Sequence, residues 1–384
     1  MTPRVLLLEP FHGGSHAAFA DTLQRRVRAD WTAVTLPARH WKWRMRGAAA
    51  YFAARPELQH GRYDLVMATS FVALAELYGL ASRLTDVPSV LYFHENQLAY
   101  PVRVERERDH HFGMTQLVSA RAATRVAFNS EHNRTTFLEA GRALLRRMPD
   151  AVPPDWVDDI AGKSEVLPVP LDLPDVDRAT LEAEPSRARG RPLVVWNHRW
   201  EHDKGPDTLA RAIIELAETG RDFELAVCGQ KFARVPAALR WLESELSDRI
   251  VSWGPLERPA YEALLAAADI ALSTARHEFF GISTLEAAHF GAHPLAPATL
   301  AYPEVLDSDH QYPPGRVTEA LTALVDRWHA GERLRADRRH LTARFGRPTW
   351  ARYAALLRRT ADLGHGPGRR AGPDREIEPD SGNP

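Results

Sequence analysis

Two doubly wound α/β domains facing a central cleft are what this sequence predicts, and three observations lead there. The chain has 384 residues, more than one hydrophobic core usually supports. Short apolar runs alternate with helical spacers in both halves, as βαβ units around a parallel sheet require. Between the halves, over 149–192, prolines and charges accumulate and the alternation is interrupted. Composition narrows the class further. A formal net charge of −1 excludes a uniformly basic nucleic-acid binder, so a phosphate-bearing partner has to be held by a local patch. The single cysteine, Cys228, lies in an apolar run, cannot form an internal disulfide and points to a reducing, cytoplasmic setting. No apolar stretch approaches the roughly 18–20 residues that span a bilayer, and the run 5–8 is too short for a secretory signal. No membrane partner is expected.

The first domain is expected over 1–172. Val5-Leu6-Leu7-Leu8 is its first strand, followed by the turn Pro10-Phe11-His12-Gly13-Gly14-Ser15-His16 and a helix through Leu23 and Val27. Gly13 and Gly14 either bring backbone N–H groups against a phosphate or sugar, or simply form a tight turn. Further strands are read at 64–69, 89–93 and 125–129, with 164–172 as the last of this domain. The run from Arg39 to Gly47 interleaves cations with Trp41 and Trp43. Lys42, Arg44 and Arg46 suit phosphates while the two indoles stack unpaired bases, which fits an RNA loop. A basic loop that tucks its tryptophans into the core has the same pattern. After the strand at 89–93, His94, Glu95, Asn96 and Gln97 place four polar side chains together. His94 suits sugar hydroxyls or the forming glycosidic centre, and the other three suit acceptor hydroxyls or a base edge. A structural role for His94 is the competing reading. Asp158-Asp159 and Asp307-Ser308-Asp309 lack the apolar strand context of a carboxylate metal site, so no metal is expected.

A linker is placed at 173–190 and the second domain at 191–347, with strands at 193–197, 223–228, 249–253 and 269–274. After the first of these come Arg199 and Lys204, then a helix with Leu209, Ala212, Ile213 and Leu216 on one face. A planar guanidinium fork and a compact ammonium can together neutralise a leaving diphosphate. The alternative is a solvated loop in which Lys204 pairs with Asp203. After the strand at 269–274 comes His277-Glu278-Phe279-Phe280-Gly281-Ile282-Ser283-Thr284-Leu285-Glu286, a loop opening into a helix. Helices at the carboxyl ends of parallel strands aim free N–H groups and a positive dipole end into the crevice. Gly281 lets the main chain approach an anion, and Ile282, Ser283 and Thr284 supply N–H donors and two hydroxyls. Glu278 and Glu286 are placed to reach different hydroxyl-bearing parts of one extended ligand. Residues 348–363 read as a closing helix, and 364–384, dense in glycine, proline and charge, as a disordered tail.

The spacing of Glu278 and Glu286 resembles the Glu-x7-Glu signature of family 4 glycosyltransferases, which implies that Glu278 meets the donor sugar and Glu286 the nucleotide ribose. The Arg199-x4-Lys204-Gly205 spacing resembles their diphosphate clamp. A more specific resemblance, to the tRNA-queuosine α-mannosyltransferases, is carried by Leu8-Glu9-Pro10-Phe11-His12-Gly13-Gly14-Ser15-His16, Trp41-Lys42-Trp43-Arg44-Met45-Arg46 and Phe93-His94-Glu95-Asn96-Gln97-Leu98-Ala99-Tyr100-Pro101. It covers most of the chain up to Leu363. It implies the GT-B fold, two Rossmann-like domains, and a retaining transfer of mannose from GDP-mannose to the cyclopentene diol of queuosine at the wobble position of aspartate tRNA. No cofactor beyond the donor is implied. A same-fold transferase acting on a glycan or lipid would keep the second-domain motifs, and so would an epimerase or phosphorylase. A non-catalytic RNA-binding protein on the same fold is the rival of another class, and the intact Arg199, Lys204, Glu278 and Glu286 argue against it.

Overall fold

The computed structural model describes residues 2–101, 109–231 and 235–365. Six parallel strands form the first sheet: β1 (Arg4–His12), β2 (Asp30–Pro37), β3 (Leu65–Thr69), β4 (Ser89–Phe93), β5 (Arg125–Phe128) and β6 (Ser164–Val166), in the order β2-β1-β3-β4-β5-β6. The unbroken apolar run in β1 follows from burial on both faces, since successive side chains point to opposite sides. Val5 and Leu7 pack with Phe19, Ala20 and Leu23 of helix Gly14–Arg26, whereas Leu6 and Leu8 pack with Ala48, Ala49 and Phe52 of helix Trp41–Ala53.

The second sheet comprises β7 (Leu193–Asn197), β8 (Glu224–Cys228), β9 (Ile250–Gly254), β10 (Ile270–Leu272), β11 (His293–Pro297) and β12 (Gln311–Tyr312), also parallel, in the order β12-β11-β10-β7-β8-β9. Strand order reverses between β7 and β10, so the loops leaving their carboxyl ends diverge and open a crevice. In the first sheet the reversal falls between β1 and β3. The two α/β sheets with helices on their faces are the predicted fold class.

The stretch 173–190, expected as a linker, is folded onto the second domain. It carries helices Arg178–Glu182 and Pro185–Arg189, and Leu181 is wholly buried. Ser186 Oγ donates to the buried Asp269 Oδ1 at 2.8 Å, and the guanidinium of Arg335 donates to the carbonyls of Thr180 and Ala183 from within the second domain. Proline and charge density read as a linker because polar residues that bind backbone from below look the same in sequence as solvated ones. Helix Arg347–Ala361 leaves the second domain and lies against β3 and β4, where Tyr353, Leu356 and Leu357 join the first core. The tail expected to be disordered lies, from residue 366, outside the described residues.

Candidate active site

The loops after β7 and β10 interlock to build one wall of the crevice. Gly205 has φ of 65°, and a Cβ there would fall 2.1 Å from the carbonyl oxygen of Thr274, so only glycine allows the two loops to meet. Thr274 Oγ1 in turn donates to Lys204 O at 2.9 Å. This contact draws Lys204 inward. Its Nζ donates to His277 O at 3.0 Å and lies 3.2 Å from both Glu278 Oε2 and Asp203 Oδ2. Lys204 therefore does pair with Asp203, but buried and shared with Glu278 rather than solvated. Burial opposes its charge, yet Glu278 and Asp203 raise its pKa. Glu278 Oε1 accepts from the N–H groups of Phe279 and Phe280 at 3.0 and 3.2 Å. Burial works against this carboxylate too, but Lys204 and the Phe280 N–H bring its pKa down to about 2.

Gly281, with φ of 94°, caps helix Ile282–His289 and passes close to the ring of Tyr302. Ile282 and Ser283 are partly exposed, and Ser283 Oγ bonds His198 Nδ1 at 3.2 Å. Thr284 differs from expectation: it is buried, and its hydroxyl bonds Tyr302, so of the two hydroxyls it is Ser283 that remains at the helix opening. His198 and His277 are buried beside Lys204, and burial followed by that cation lowers each to about 4. Both stay neutral at physiological pH. Arg199 is about half exposed, with Glu201 Oε2 at 3.0 Å and Asp203 Oδ2 at 3.8 Å. Glu286 accepts from Arg258 Nη1 at 2.8 Å and from Tyr261 Oη at 3.0 Å, and Asn197 Nδ2 donates to that same Tyr261 hydroxyl at 2.9 Å. Arg258 and Tyr261 carried no signal in the sequence, because helix Arg258–Ala267 reads as an ordinary amphipathic segment.

The opposing wall comes from the first domain. Gly13 starts helix Gly14–Arg26 so near Ala38 that a Cβ would lie 2.4 Å from the Ala38 side chain, whereas Gly14 faces open space. His94 follows β4, 92% buried, with its ring 4.1 Å from that of His16. Glu9 Oε2 lies 3.1 Å from His16 Nδ1 and 4.0 Å from His94 Nε2. The ligand-type atoms of these three residues all lie within 4.8 Å of one another, the one such convergence among the described residues. The sequence reading used His94 and passed over Glu9 and His16, although both stand in the first glycine-turn motif.

Glu95 lines the crevice, and burial raises its pKa against the pull of His16 and Arg199. Gln97 Nε2 donates to Glu95 Oε1 at 3.3 Å. Asn96, expected to read acceptor, is instead scaffold. It is wholly buried, its Nδ2 donates to Asn133 Oδ1 at 2.8 Å, and its Oδ1 accepts from Ala99 N at 2.7 Å. An amide with both ends bonded internally has nothing left to offer a ligand.

Helix Trp41–Ala53 begins at the carboxyl edge of β2. Trp41 is half-buried against Phe71 and Phe112, with ring centroids at 6.3 and 5.4 Å, while Trp43 is 64% exposed. The core reading thus holds for Trp41 and the surface reading for Trp43. Lys42 sits 5.7 Å over the Trp41 ring, Arg44 donates to Pro37 O at 3.3 Å, and Arg46 pairs with Asp109 at 3.2 Å. The walls also touch. The rings of Tyr100 and His277 lie 4.8 Å apart, and Glu304 accepts from the N–H groups of Glu131 and His132, both at 2.7 Å, capping a first-domain helix from the second domain.

Residues 4–171 match the family model described as tRNA-queuosine alpha-mannosyltransferase N-terminal, and residues 177–341 match that of glycosyl transferases group 1. The chain is similar to the tRNA-queuosine alpha-mannosyltransferase of Drosophila melanogaster, 36% identical over 83% of this chain and 85% of that protein. It is also similar to the 2-deoxystreptamine glucosyltransferase of Streptomyces kanamyceticus, 29% identical over 54% of this chain and 52% of that one. Among solved structures, sucrose-phosphate synthase from Thermosynechococcus elongatus superimposes with a TM-score of 0.67 at 17% identity, covering 94% of this chain and 99% of the other. HepE of Anabaena in complex with UDP-glucose gives 0.62 at 17% identity, covering 94% and 100%. These two likenesses show a shared fold of two facing α/β domains.

Proposed function

The chain belongs to the tRNA-queuosine alpha-mannosyltransferase family and is a glycosyltransferase, and from that membership we propose that it transfers mannose from GDP-mannose to the cyclopentene diol of queuosine at the wobble position of aspartate tRNA. The observation that carries the donor half is the buried Lys204–Glu278 pair beside the Gly281 helix opening, with Arg199 at its rim. Two cations and a helix N-terminus converge where charge builds on a leaving diphosphate. Glu278, ionised and held by two backbone N–H groups, orients the sugar, and Glu286, held by Arg258 and Tyr261, meets the ribose hydroxyls. His94 and Glu95 face them from the acceptor side, where Gln97 supports Glu95.

The transfer proceeds on one face of the sugar. The acceptor oxygen bonds C1 as the bond from C1 to the diphosphate oxygen breaks, and that diphosphate takes the acceptor proton, which dispenses with a protein nucleophile. Leaving-group charge rests on Arg199, Lys204 and the helix N-terminus, and the step as written calls on no metal ion. On the RNA side, exposed Trp43 with Lys42 and Arg44 supplies a stacking face beside cations for an unpaired loop. The one free cysteine is buried, and no helix of the described residues is long and apolar enough to cross a membrane, which supports a cytoplasmic place of work on tRNA.

The test presents purified protein with GDP-mannose and queuosine-containing aspartate tRNA, beside the same tRNA carrying guanosine at the wobble position. Nucleoside mass analysis should show one hexose gained by queuosine alone. A hexose gained instead by a lipid or free glycan would retain the transferase and discard the RNA acceptor.

A further inference from the structure

Glu9 and His16 have no part in the transfer just described, yet with His94 they form a buried polar cluster on the first-domain wall. Glu9 is wholly buried, and a carboxylate in that position is unfavourable unless hydrogen-bonded and paired with charge. Both of its oxygens have partners: Oε1 accepts from Phe11 N at 2.7 Å, and Oε2 meets His16 Nδ1 at 3.1 Å. His94 is different. Its Nε2 is closed off from solvent, has no hydrogen-bond partner, and lies 4.0 Å from the same Glu9 Oε2. The His94 ring is fenced by the rings of Phe19 at 4.5 Å, Tyr92 at 4.9 Å and His16 at 4.1 Å. At 4.0 Å the carboxylate is too far for a hydrogen bond, but its charge favours a proton on the ring nitrogen that faces it, which leaves the other nitrogen as a hydrogen-bond acceptor.

We propose that Glu9 and His16 are positioning residues for His94: their buried hydrogen-bonded pair holds its Nε2–H inward and so presents Nδ1 as the acceptor for a substrate hydroxyl. The inference rests on His94 facing the sugar-transfer crevice. Charges around the cluster agree with it. Burial opposes charge on His16, but Glu9, with Glu95 behind it, raises the His16 pKa against Arg199. Burial, then the neighbouring His16, holds His94 well below the ordinary imidazole value. The two rings are driven in opposite directions, His16 toward its charged form and His94 toward its neutral one.

Ring-nitrogen NMR of the full-length 15N-labelled protein, with His16→Gln and His94→Gln used to assign the signals, reads both states directly. At pH 7.5 His16 should show two protonated nitrogens and His94 a proton on Nε2 alone. Glu9→Gln should leave GDP-mannose affinity within about twofold, lower turnover by about 10–100-fold as other lost orienting partners do, and remove the imidazolium signal of His16. A His94 that carries its proton on Nδ1 or is charged in the wild-type protein overturns the proposal, as does full turnover in a folded Glu9→Gln. So does one equivalent of a transition metal found by elemental analysis, which would make the three residues ligands instead. Should Glu9→Gln fail to fold, the wild-type spectrum still decides. It also decides if no mannose is transferred at all, so the two readings fail separately.

Discussion

Replacing Lys204 by methionine removes one charge from a site that was built around it, and the structure sets the size of the consequence. The ammonium lies 3.2 Å from two carboxylates, those of Asp203 and Glu278, in a residue only 8% exposed. Removing one partner of a buried ion pair costs roughly 3–5 kcal/mol, because the other charge stays behind without compensation. The low end applies here, since Glu278 keeps its two N–H donors. Burial opposes the Glu278 charge, and Lys204, the Phe280 N–H and His198 together hold its pKa down from 4.5 to about 2, so Lys204 supplies only part of that depression. The sign follows from linkage: a carboxylate whose folded pKa is depressed stabilises the fold above its unfolded value and loses that contribution as pH falls. For Glu278 the loss runs from about 4.5 to about 2. In Lys204→Met that acid limb should move to higher pH, and urea denaturation at pH 7 should show a loss of about 3 kcal/mol. Donor affinity should fall roughly ten- to a hundredfold by calorimetry with GDP-mannose, the value of one charge-assisted bond to phosphate. A variant that loses stability but binds donor within twofold of wild type would make Lys204 a scaffold residue. One that keeps its stability would refute the energetic reasoning itself.

Glu278→Gln should depress turnover more than binding, whereas Glu286→Gln, and Arg258→Ala by releasing Glu286, should mainly raise the donor dissociation constant; steady-state kinetics beside calorimetry separates the two effects. Replacing Lys42, Arg44 and Arg46 together by alanine should weaken tRNA binding and flatten its salt dependence, each lost phosphate contact removing roughly 0.7–0.9 from the log–log slope, with GDP-mannose affinity unchanged. Trp43→Ala should fold normally, since the ring is 64% exposed, and should weaken tRNA binding by about 1–3 kcal/mol without changing that slope. Asn96→Ala should lower stability by about 1–3 kcal/mol through the unpaired carbonyl oxygen it leaves on Asn133 and the unpaired N–H on Ala99, detected by thermal melting.

Where burial on both faces gives a strand an unbroken apolar run, as in β1, β3, β4 and β7, the sequence announced it. The strands it hid break that rule. β2 is an edge strand with alternating exposure, and β11 carries Pro294 and Pro297, which read as loop, yet it lies inside the sheet between β10 and β12. The donor wall was legible because its chemistry is local: Lys204 with Gly205, and Glu278 with Gly281, each stand within a few residues of a helix start. What pairs across the fold was not. Nothing near Glu286 in sequence points to Arg258, 28 positions earlier, and nothing in an Asn beside a Gln says that the first faces inward and the second does not. Trp41 and Trp43 make the same point, because helix geometry turns residues two positions apart to different sides.

The return of helix Arg347–Ala361 to the first domain makes the molecule a closed loop in space: the polypeptide passes between the domains once after β6 and once again before its last helix. Two passages side by side act like paired straps, which leave bending about their common line easier than twisting across it. The same arrangement decides how the chain can be cut. A fragment ending at 172 would strip Tyr353, Leu356 and Leu357 from the core that β1 and β3 share with them, exposing apolar surface on β3 and β4. The first domain is complete only when helix Arg347–Ala361 has been made.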